Sequence, residues 1–284
     1  MLVATTIDEI RAWVRRTRAA GKSVGFVPTM GALHIGHVSL IQAAAERCDY
    51  VVVSIFVNPT QFGPGEDFEK YPRPVEQDLA ICAQHGVDAV FAPSPREMYP
   101  RENLTWVTVE KISEPLCGRL RPGHFRGVAT VCTKLFNIVG ADLAFFGQKD
   151  AQQVAVIRRM VADLNLPLEI VVCPTVREPD GLAVSSRNQY LSPQGRKEAT
   201  VIYRSLQRSA ELIRAGEKEV ARIAEQMREV LGQVPAFQVE YVSIVDAASL
   251  EDLTQVRGKV LVAVAGRLGS TRLIDNIVVD ATTK

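Results

Sequence analysis

Apolar and polar positions follow two alternating patterns through residues 1–175. Short, nearly continuous apolar runs, such as residues 50–57, have the length and texture of strands buried on both faces. Between them lie stretches with apolar residues at helical spacing, such as residues 36–47. This alternation predicts an α/β fold with a doubly wound parallel sheet. We expect strands at 23–28, 50–57, 88–92, 143–146 and 169–173, and helices at about 7–20, 36–47, 75–85, 125–139 and 151–164.

The first predicted helix has the clearest start signal. Thr6 and Glu9 stand three residues apart as a capping box, and Gly21 marks the end of the helix.

The pattern changes at residues 174–181, where two prolines, Asp180 and Gly181 interrupt the chain. We place a domain boundary there, between a domain at 1–175 and a smaller α+β domain at 176–284. Two charged amphipathic helices are predicted at 193–215 and 218–231. Strand-like runs at 239–245, 260–265 and 272–277 follow without long helices between them, which predicts a small antiparallel sheet.

Composition limits the partners and the compartment. The 284 residues carry 33 Lys and Arg against 32 Asp and Glu, a net charge of +1, so no broad field would hold nucleic acid or an anionic membrane. No apolar run approaches the roughly 20 residues of a membrane span, and the N-terminus does not resemble a signal peptide. Five scattered cysteines without a Cys-x-x-Cys pair favour reduced, mostly buried thiols in a cytoplasmic protein.

The strongest local motif lies at residues 28–37, between the first long strand and its helix. His34 and His37 stand three apart, on one helical face, where backbone N–H groups and the helix dipole favour phosphate. The dipole should keep both rings neutral, as hydrogen-bond donors. The alternative is that they only cap the helix. The loop contains no Cys, Asp or Glu to complete a metal site, and it is neither a Walker A loop nor a three-glycine dinucleotide motif.

Polar side chains also follow other predicted strands. Asn58 and Gln61 follow the second long strand and suit the orientation of a hydroxyl or carboxylate. Lys149 follows a later strand at the start of a helix, where its charge could meet a phosphate. Simple turn and capping roles remain open for all three.

Two further loops have compositions that suit anions. Residues 185–188, Ser-Ser-Arg-Asn, could close over triphosphate oxygens or form a plain linker, and no Gly-x-Ser-x-Gly elbow supports a serine nucleophile. Residues 121–127 are basic and glycine-rich before a helix, and could bind an anion or simply lead into that helix.

Taken together, the order of these motifs resembles the pantothenate synthetase (pantoate–β-alanine ligase) family. The resemblance runs almost end to end: it covers residues 27–37, 57–62, 71–73, 121–128, 146–150, Gln153, 180–188 and the run Arg-Leu-Ile-Asp-Asn at 272–276. It implies a cytoplasmic homodimer with a Rossmann-like nucleotidylyltransferase domain and a small C-terminal domain that closes over the active site. It also implies that ATP and (R)-pantoate give pantoyl adenylate and pyrophosphate, that β-alanine then gives pantothenate and AMP, and that Mg2+ accompanies ATP.

The resemblance assigns roles to matching positions. His37, His34, Lys149 and Arg187 would be catalytic; Gln61, Gln153 and Asn58 would bind substrate; and Asp78 could help to position Mg2+. The residues that would bind ATP are Met30, Gly31, Ala32, Leu33, His34, Ile35, Gly36, His37, Gly147, Gln148, Lys149, Asp150, Val176, Val184, Ser185, Ser186 and Arg187. Gln148 departs from the more frequent Glu of the family, and Val184 from Met or Leu; neither change removes a required charge.

Two other functions stay open on the sequence alone. Another nucleotidylyltransferase of the same fold would act on a different substrate, although the uncharged Gln61 and Gln153 suit a small hydroxy acid better than a phosphate ester. A non-catalytic nucleotide-binding or tRNA-associated module is disfavoured by the near-zero net charge and by the presence of all four candidate catalytic residues.

Overall fold

The computed structural model describes residues 1–282, which form two compact units. The first unit contains Met1–Ser113, Leu120–Gly147 and Val156–Pro174; the second contains Glu114–Arg119, Gln148–Ala155 and the chain from Thr175 onward. The last change of unit, after Pro174, lies one residue before the predicted boundary. Two short segments that the sequence assigns to the first domain group with the second, since their hydrogen bonds include partners there: Cys117 contacts Tyr241, and Gln148 contacts Asn276.

The first unit is built on a six-stranded parallel sheet, which confirms the predicted doubly wound α/β class. The strand order is β1-β4-β3-β2-β5-β6, so the order reverses between β2 and β5. Ligands of open α/β sheets bind at the carboxyl ends of the strands beside such a reversal. The strands are β1 Leu2–Ala4, β2 Val24–Thr29, β3 Tyr50–Ile55, β4 Ala89–Phe91, β5 Leu143–Gly147 and β6 Glu169–Cys173.

Helices connect and cover these strands. Up to β6 they are α1 Ile7–Ala19, α2 Ile35–Arg47, α3 Val75–Gln84, α4 Pro95–Met98, α5 Cys117–Leu120, α6 His124–Val139 and α7 Ala151–Asp163. The capping box at the start of α1 is confirmed: Thr6 Oγ1 accepts from the Glu9 N–H, and the Glu9 carboxylate accepts from the Thr6 N–H. The short elements β1, α4 and α5 were not predicted, because three or four residues are too few to show a periodicity.

The core of the first unit lies between the sheet and its helices. Val27, Val53, Val90 and Phe145 from four neighbouring strands are fully buried there, so the strands are apolar on the face that the helices cover. All five cysteines carry free thiols, and four of them are buried, as small apolar side chains commonly are.

The second unit has a three-stranded antiparallel sheet, as predicted. Its strands are β7 Phe237–Asp246, β8 Lys259–Leu268 and β9 Thr271–Asp280, and its helices are α8 Pro193–Glu198, α9 Val201–Arg214 and α10 Val220–Gly232. The prediction of one helix over 193–215 is wrong. The chain tightens at Thr200, whose N–H and hydroxyl both bond the Lys197 carbonyl three residues earlier, and this turn separates α8 from α9.

Within residues 1–282, none of the helices combines the length and the apolar character needed to cross a membrane.

Candidate functional site

The loop with the two histidines leaves the carboxyl end of β2 and ends at α2. His34 caps the helix: its Nδ1 accepts from the Gly36 N–H at 3.1 Å, and His37 Nδ1 accepts from the His34 N–H at 3.3 Å. The ring centroids lie 4.1 Å apart. A ring nitrogen that accepts a hydrogen bond carries no proton, so the neutral rings hold theirs on Nε2. The capping role that the sequence left open is therefore present, and it uses only the Nδ1 atoms in the bonds described.

Asp78 also fixes the backbone of the histidine loop. Its carboxylate accepts from the N–H groups of Ala32 at 2.9 Å and Leu33 at 2.7 Å, and the residue is only 1% exposed. Burial raises the pKa of Asp78, while the two N–H donors oppose that shift. At Gly31 the backbone has φ +83°, and a Cβ would lie 2.8 Å from Asp78 Oδ2, so only glycine fits. The visible role of Asp78 is to shape the loop; its role with Mg2+ stays a prediction.

Asn58 and Gln61 lie just beyond β3, in a buried polar network. Asn58 Nδ2 donates to Gln61 Oε1 at 3.2 Å and to the Gly127 carbonyl at 3.3 Å. Gln61 Nε2 lies 2.8 Å from Met30 Sδ, which brings the predicted pantoate residue into contact with the histidine loop. The hydroxyl of Tyr99 donates to Asn58 Oδ1 at 2.9 Å. Network bonds of this kind fix the orientation of the Asn58 and Gln61 amides.

This network depends on a close approach between α6 and the turn at Pro59–Gln61. A Cβ on Gly127 would lie 2.2 Å from the Thr60 carbonyl oxygen and 2.8 Å from Gln61 Cα. Any side chain at this position would push the two backbones apart. The sequence marks Gly127 only as part of a glycine-rich segment and gives no sign of this contact.

Arg121, in the candidate anion loop, pairs with an acid. Its guanidinium bonds both Glu66 oxygens, at 2.7 and 2.5 Å. Partial burial opposes ionisation of Glu66, but Arg121 outweighs it and lowers the pKa of Glu66. Arg121 also lies 3.0 Å from His124, whose Nδ1 lies 2.8 Å from the Gln61 carbonyl oxygen. The sequence left anion binding or a simple helix entry open for this loop; the structure pairs Arg121 with Glu66 and places His124 on the Gln61 carbonyl.

Apart from Gly147, the last residue of β5 in the first unit, the remaining candidates belong to the second unit. Lys149 lies in the 3₁₀ turn Gln148–Asp150, with its side chain 21% exposed and its Nζ 4.0 Å from Asp150 Oδ2. Gln153 is half-buried in the first turn of α7. Next to it, Gln152 is buried and fixes the backbone of α5: it accepts from the Cys117 N–H and donates to the Pro115 carbonyl.

The other predicted ATP residues of this unit lie in segments that hydrogen bonds to backbone groups hold in place. The Val184 N–H donates to the Val176 carbonyl at 3.0 Å, so these two positions pair. Ser185 then caps the 3₁₀ turn Ser186–Tyr190 by accepting from the Arg187 N–H. The structure thus gathers the candidates in two groups, one in each unit. Among residues 1–282, no cluster of three or more His, Cys, Asp or Glu side chains could hold a metal.

Comparison with known proteins gives matches that cover nearly the whole chain. Residues 2–278 match the family model described as pantoate-beta-alanine ligase. The pantothenate synthetase of Pelotomaculum thermopropionicum is 55% identical over 278 residues, covering 98% of this chain and 99% of that protein. That of Acetivibrio thermocellus is 53% identical over 280 residues, covering 99% of this chain and 100% of that protein.

Solved structures give the same result. The crystal structure of pantothenate synthetase from Thermus thermophilus matches with a TM-score of 0.93 at 47% identity, over 98% of this chain and 99% of that one. Pantoate-beta-alanine ligase from Francisella tularensis, complexed with beta-gamma ATP and beta-alanine, matches with a TM-score of 0.81 at 34% identity, over 100% and 99% of the two chains. Family model, relatives and structures all span nearly the whole chain, and the chain therefore belongs to the pantoate–beta-alanine ligase family.

Proposed function

We propose that this protein condenses (R)-pantoate with β-alanine at the expense of ATP, through a pantoyl-adenylate intermediate, and releases AMP and pyrophosphate. The observation that carries the proposal is the histidine loop, which places two imidazole rings at the N-terminus of α2 and fixes both by hydrogen bonds from backbone N–H groups to their Nδ1 atoms. Met30 of this loop contacts Gln61, so the phosphate-binding and pantoate-binding candidates of the first unit adjoin each other.

In the first step, the pantoate carboxylate attacks the α-phosphorus of ATP and pyrophosphate leaves. Negative charge builds up on the phosphate oxygens, and His34 and His37 donate to them from fixed positions. Donors that need no reorganisation are an effective way to stabilise such charge. Lys149 and Arg187 supply the positive charge that the triphosphate requires, Lys149 as a mobile point charge and Arg187 as a planar fork.

Gln61, Asn58 and Gln153 bind pantoate. Amides suit this substrate, because they can both donate to and accept from its hydroxyls and carboxylate without adding charge. The buried network fixes the orientation of the Asn58 and Gln61 side chains before substrate arrives, which lowers the entropy cost of binding.

In the second step, the β-alanine amine attacks the acyl carbonyl and AMP leaves. An acyl adenylate is lost to water unless it is shielded until the amine arrives. Closure of the smaller domain over the site stays part of this proposal. If the intermediate is shielded, AMP forms slowly with pantoate and ATP alone and rapidly once β-alanine is added.

Mg2+ is proposed as a companion of ATP. Mg2+ usually takes its ligands from substrate phosphates, waters and one or two carboxylates. Both Asp78 oxygens already accept backbone N–H groups, so the described residues do not fit a dedicated protein site.

We also propose that the protein acts as a cytoplasmic homodimer. The family resemblance supports the dimer, and the odd number of scattered cysteines suits a reducing compartment. Light scattering should give twice the 31.2 kDa chain mass, whereas a single chain mass would contradict the dimer. Fractionation of cells that make the protein tests the compartment.

The reaction is tested by the exchange of labelled pyrophosphate into ATP. We expect exchange with (R)-pantoate in the absence of β-alanine, and none when a phosphate ester of similar size replaces pantoate. Exchange supported by the ester and not by pantoate would move the protein to a different nucleotidylyltransferase activity.

A further inference from the structure

Asn276, in β9, holds the turn that carries Lys149. Its Nδ2 donates to the carbonyls of Gln148 at 3.1 Å and of Lys149 at 2.8 Å, while its Oδ1 accepts from Gln148 Nε2 at 3.1 Å. Asn276 is only 4% exposed. Three hydrogen bonds from one buried amide leave this turn little freedom, and they set the point from which the Lys149 side chain departs.

Asn276 is itself fixed by its neighbours. The Asp275 carboxylate accepts from the Asn276 N–H at 2.7 Å and pairs with both terminal nitrogens of Arg177, at 2.6 and 3.0 Å. Arg177 also donates to the Asn276 carbonyl and lies over the ring of Tyr203. A two-point pair of this kind sets direction as well as distance. We call Arg177, Asp275 and Asn276 the Asp275 cluster.

The Asp275 cluster also supports the loop that carries Arg187. Arg177 pairs with Ala183 in an antiparallel bridge and donates to the Gly181 carbonyl at 3.0 Å. Asn188, next to Arg187, donates to the Ala183 carbonyl at 3.0 Å. The Asp275 cluster therefore contacts both segments of the second unit that carry candidate catalytic cations.

We propose that Asn276 is a positioning residue for adenylate formation, acting through Lys149, and that Arg177 and Asp275 keep it in place; the inference rests on the proposed function. Asn276 touches no reacting atom. Its amide fixes the Lys149 backbone, so that the mobile side chain starts from a defined point and fewer of its conformations place the ammonium group away from the phosphates. Errors of about 1 Å in such placement cost roughly 100-fold in rate.

The test measures single-turnover formation of pantoyl adenylate, with enzyme in excess so that slow variants remain measurable. Asn276→Ala should lower this rate roughly 10- to 100-fold while the Kd for ATP changes less than about threefold. Arg177→Lys keeps a positive charge beside Asp275 but loses the two-point guanidinium pair, and should lower the rate by a smaller factor. The matched control is Asn137→Ala. It removes a hydrogen bond from a side-chain amide to a backbone carbonyl in α6 and should leave the rate unchanged.

A double-mutant cycle separates positioning from general structural support. In a Lys149→Ala background, Asn276→Ala should have almost no further effect, because the group it positions is gone. The inference would be overturned if Asn276→Ala lowered the rate by the same factor with and without Lys149, or if it did not lower the rate at all. If Asn276→Ala does not fold, Asn276→Ser, which keeps a small polar side chain but loses the amide, is carried through the same cycle with the same criterion. Failure of the proposed function is distinct: the unaltered protein would then form no pantoyl adenylate.

Discussion

Replacing Gly127 by alanine tests whether the close approach of α6 sets the pantoate site. The added Cβ would lie 2.2 Å from the Thr60 carbonyl oxygen, whereas ordinary contacts begin at 3.4 Å. The helix and the turn at Pro59–Gln61 must therefore separate by about 1 Å. The same movement stretches the bond from Asn58 to the Gly127 carbonyl, already 3.3 Å long.

Two effects follow from that movement. Overpacking of this kind costs about 1–3 kcal/mol of folding free energy, partly offset by the roughly 0.5–1 kcal/mol that alanine gains over glycine inside a helix. Displacement of Gln61 by about 1 Å should lower kcat/KM for pantoate roughly 100-fold, or about 2.7 kcal/mol of transition-state stabilisation.

The assay combines pantoate-dependent pyrophosphate exchange with urea unfolding followed by tryptophan fluorescence. Both tryptophans, Trp13 and Trp106, belong to the first unit, so the signal reports the unit that is altered. Gly232→Ala is the matched control, since Gly232 also lies in a helix and, outside its chain neighbours and its own helix backbone, no described atom comes within 4 Å of its added Cβ. A Gly127→Ala protein with kcat/KM within threefold of the Gly232→Ala protein would refute the reasoning.

Three further predictions follow. Asp78→Asn keeps the side-chain shape but leaves a buried N–H of the histidine loop without an acceptor. It should therefore lower the urea midpoint by the equivalent of about 1–3 kcal/mol. If the variant instead kept its stability and needed a much higher Mg2+ concentration for activity, Asp78 would be a metal ligand. Asp49, whose pKa is lowered to about 2, chiefly by the Ser23 N–H and then by Lys22, stabilises the fold above its unfolded pKa. Asp49→Asn should therefore be less stable than the unaltered protein at pH 6, and the difference should shrink as the pH falls below the unfolded pKa and vanish below about 2. A difference that grows in acid would contradict this sign. His37→Ala and Lys149→Ala should each suppress pyrophosphate exchange with little change in unfolding, and loss of folding in either would remove that residue from the site.

The sequence predicted the fold well wherever the signal was local. The alternation of strand and helix patterns gave the parallel sheet, and Thr6 and Glu9 gave the start of α1. It failed at Thr200, because a single side chain bonding back to the Lys197 carbonyl leaves the amphipathic pattern intact while ending the helix.

The candidate site was predictable only where its residues are close together in the sequence. The spacing of His34 and His37 placed them at a helix start, which the structure confirms. The supporting contacts of Asp78 and Asn276 join residues far apart in the sequence. No periodicity or spacing records such pairs, so they become visible only in the folded chain.

The central claim is that pantoate is activated as an acyl adenylate, and the path of its carboxylate oxygen tests this most directly. We would supply (R)-pantoate labelled with 18O in the carboxylate, together with ATP, Mg2+ and β-alanine, and analyse the phosphate-containing products by mass spectrometry. The account predicts one 18O atom in each AMP and none in pyrophosphate. Label in inorganic phosphate, with ADP as the nucleotide product, would show an acyl phosphate instead and would contradict the account.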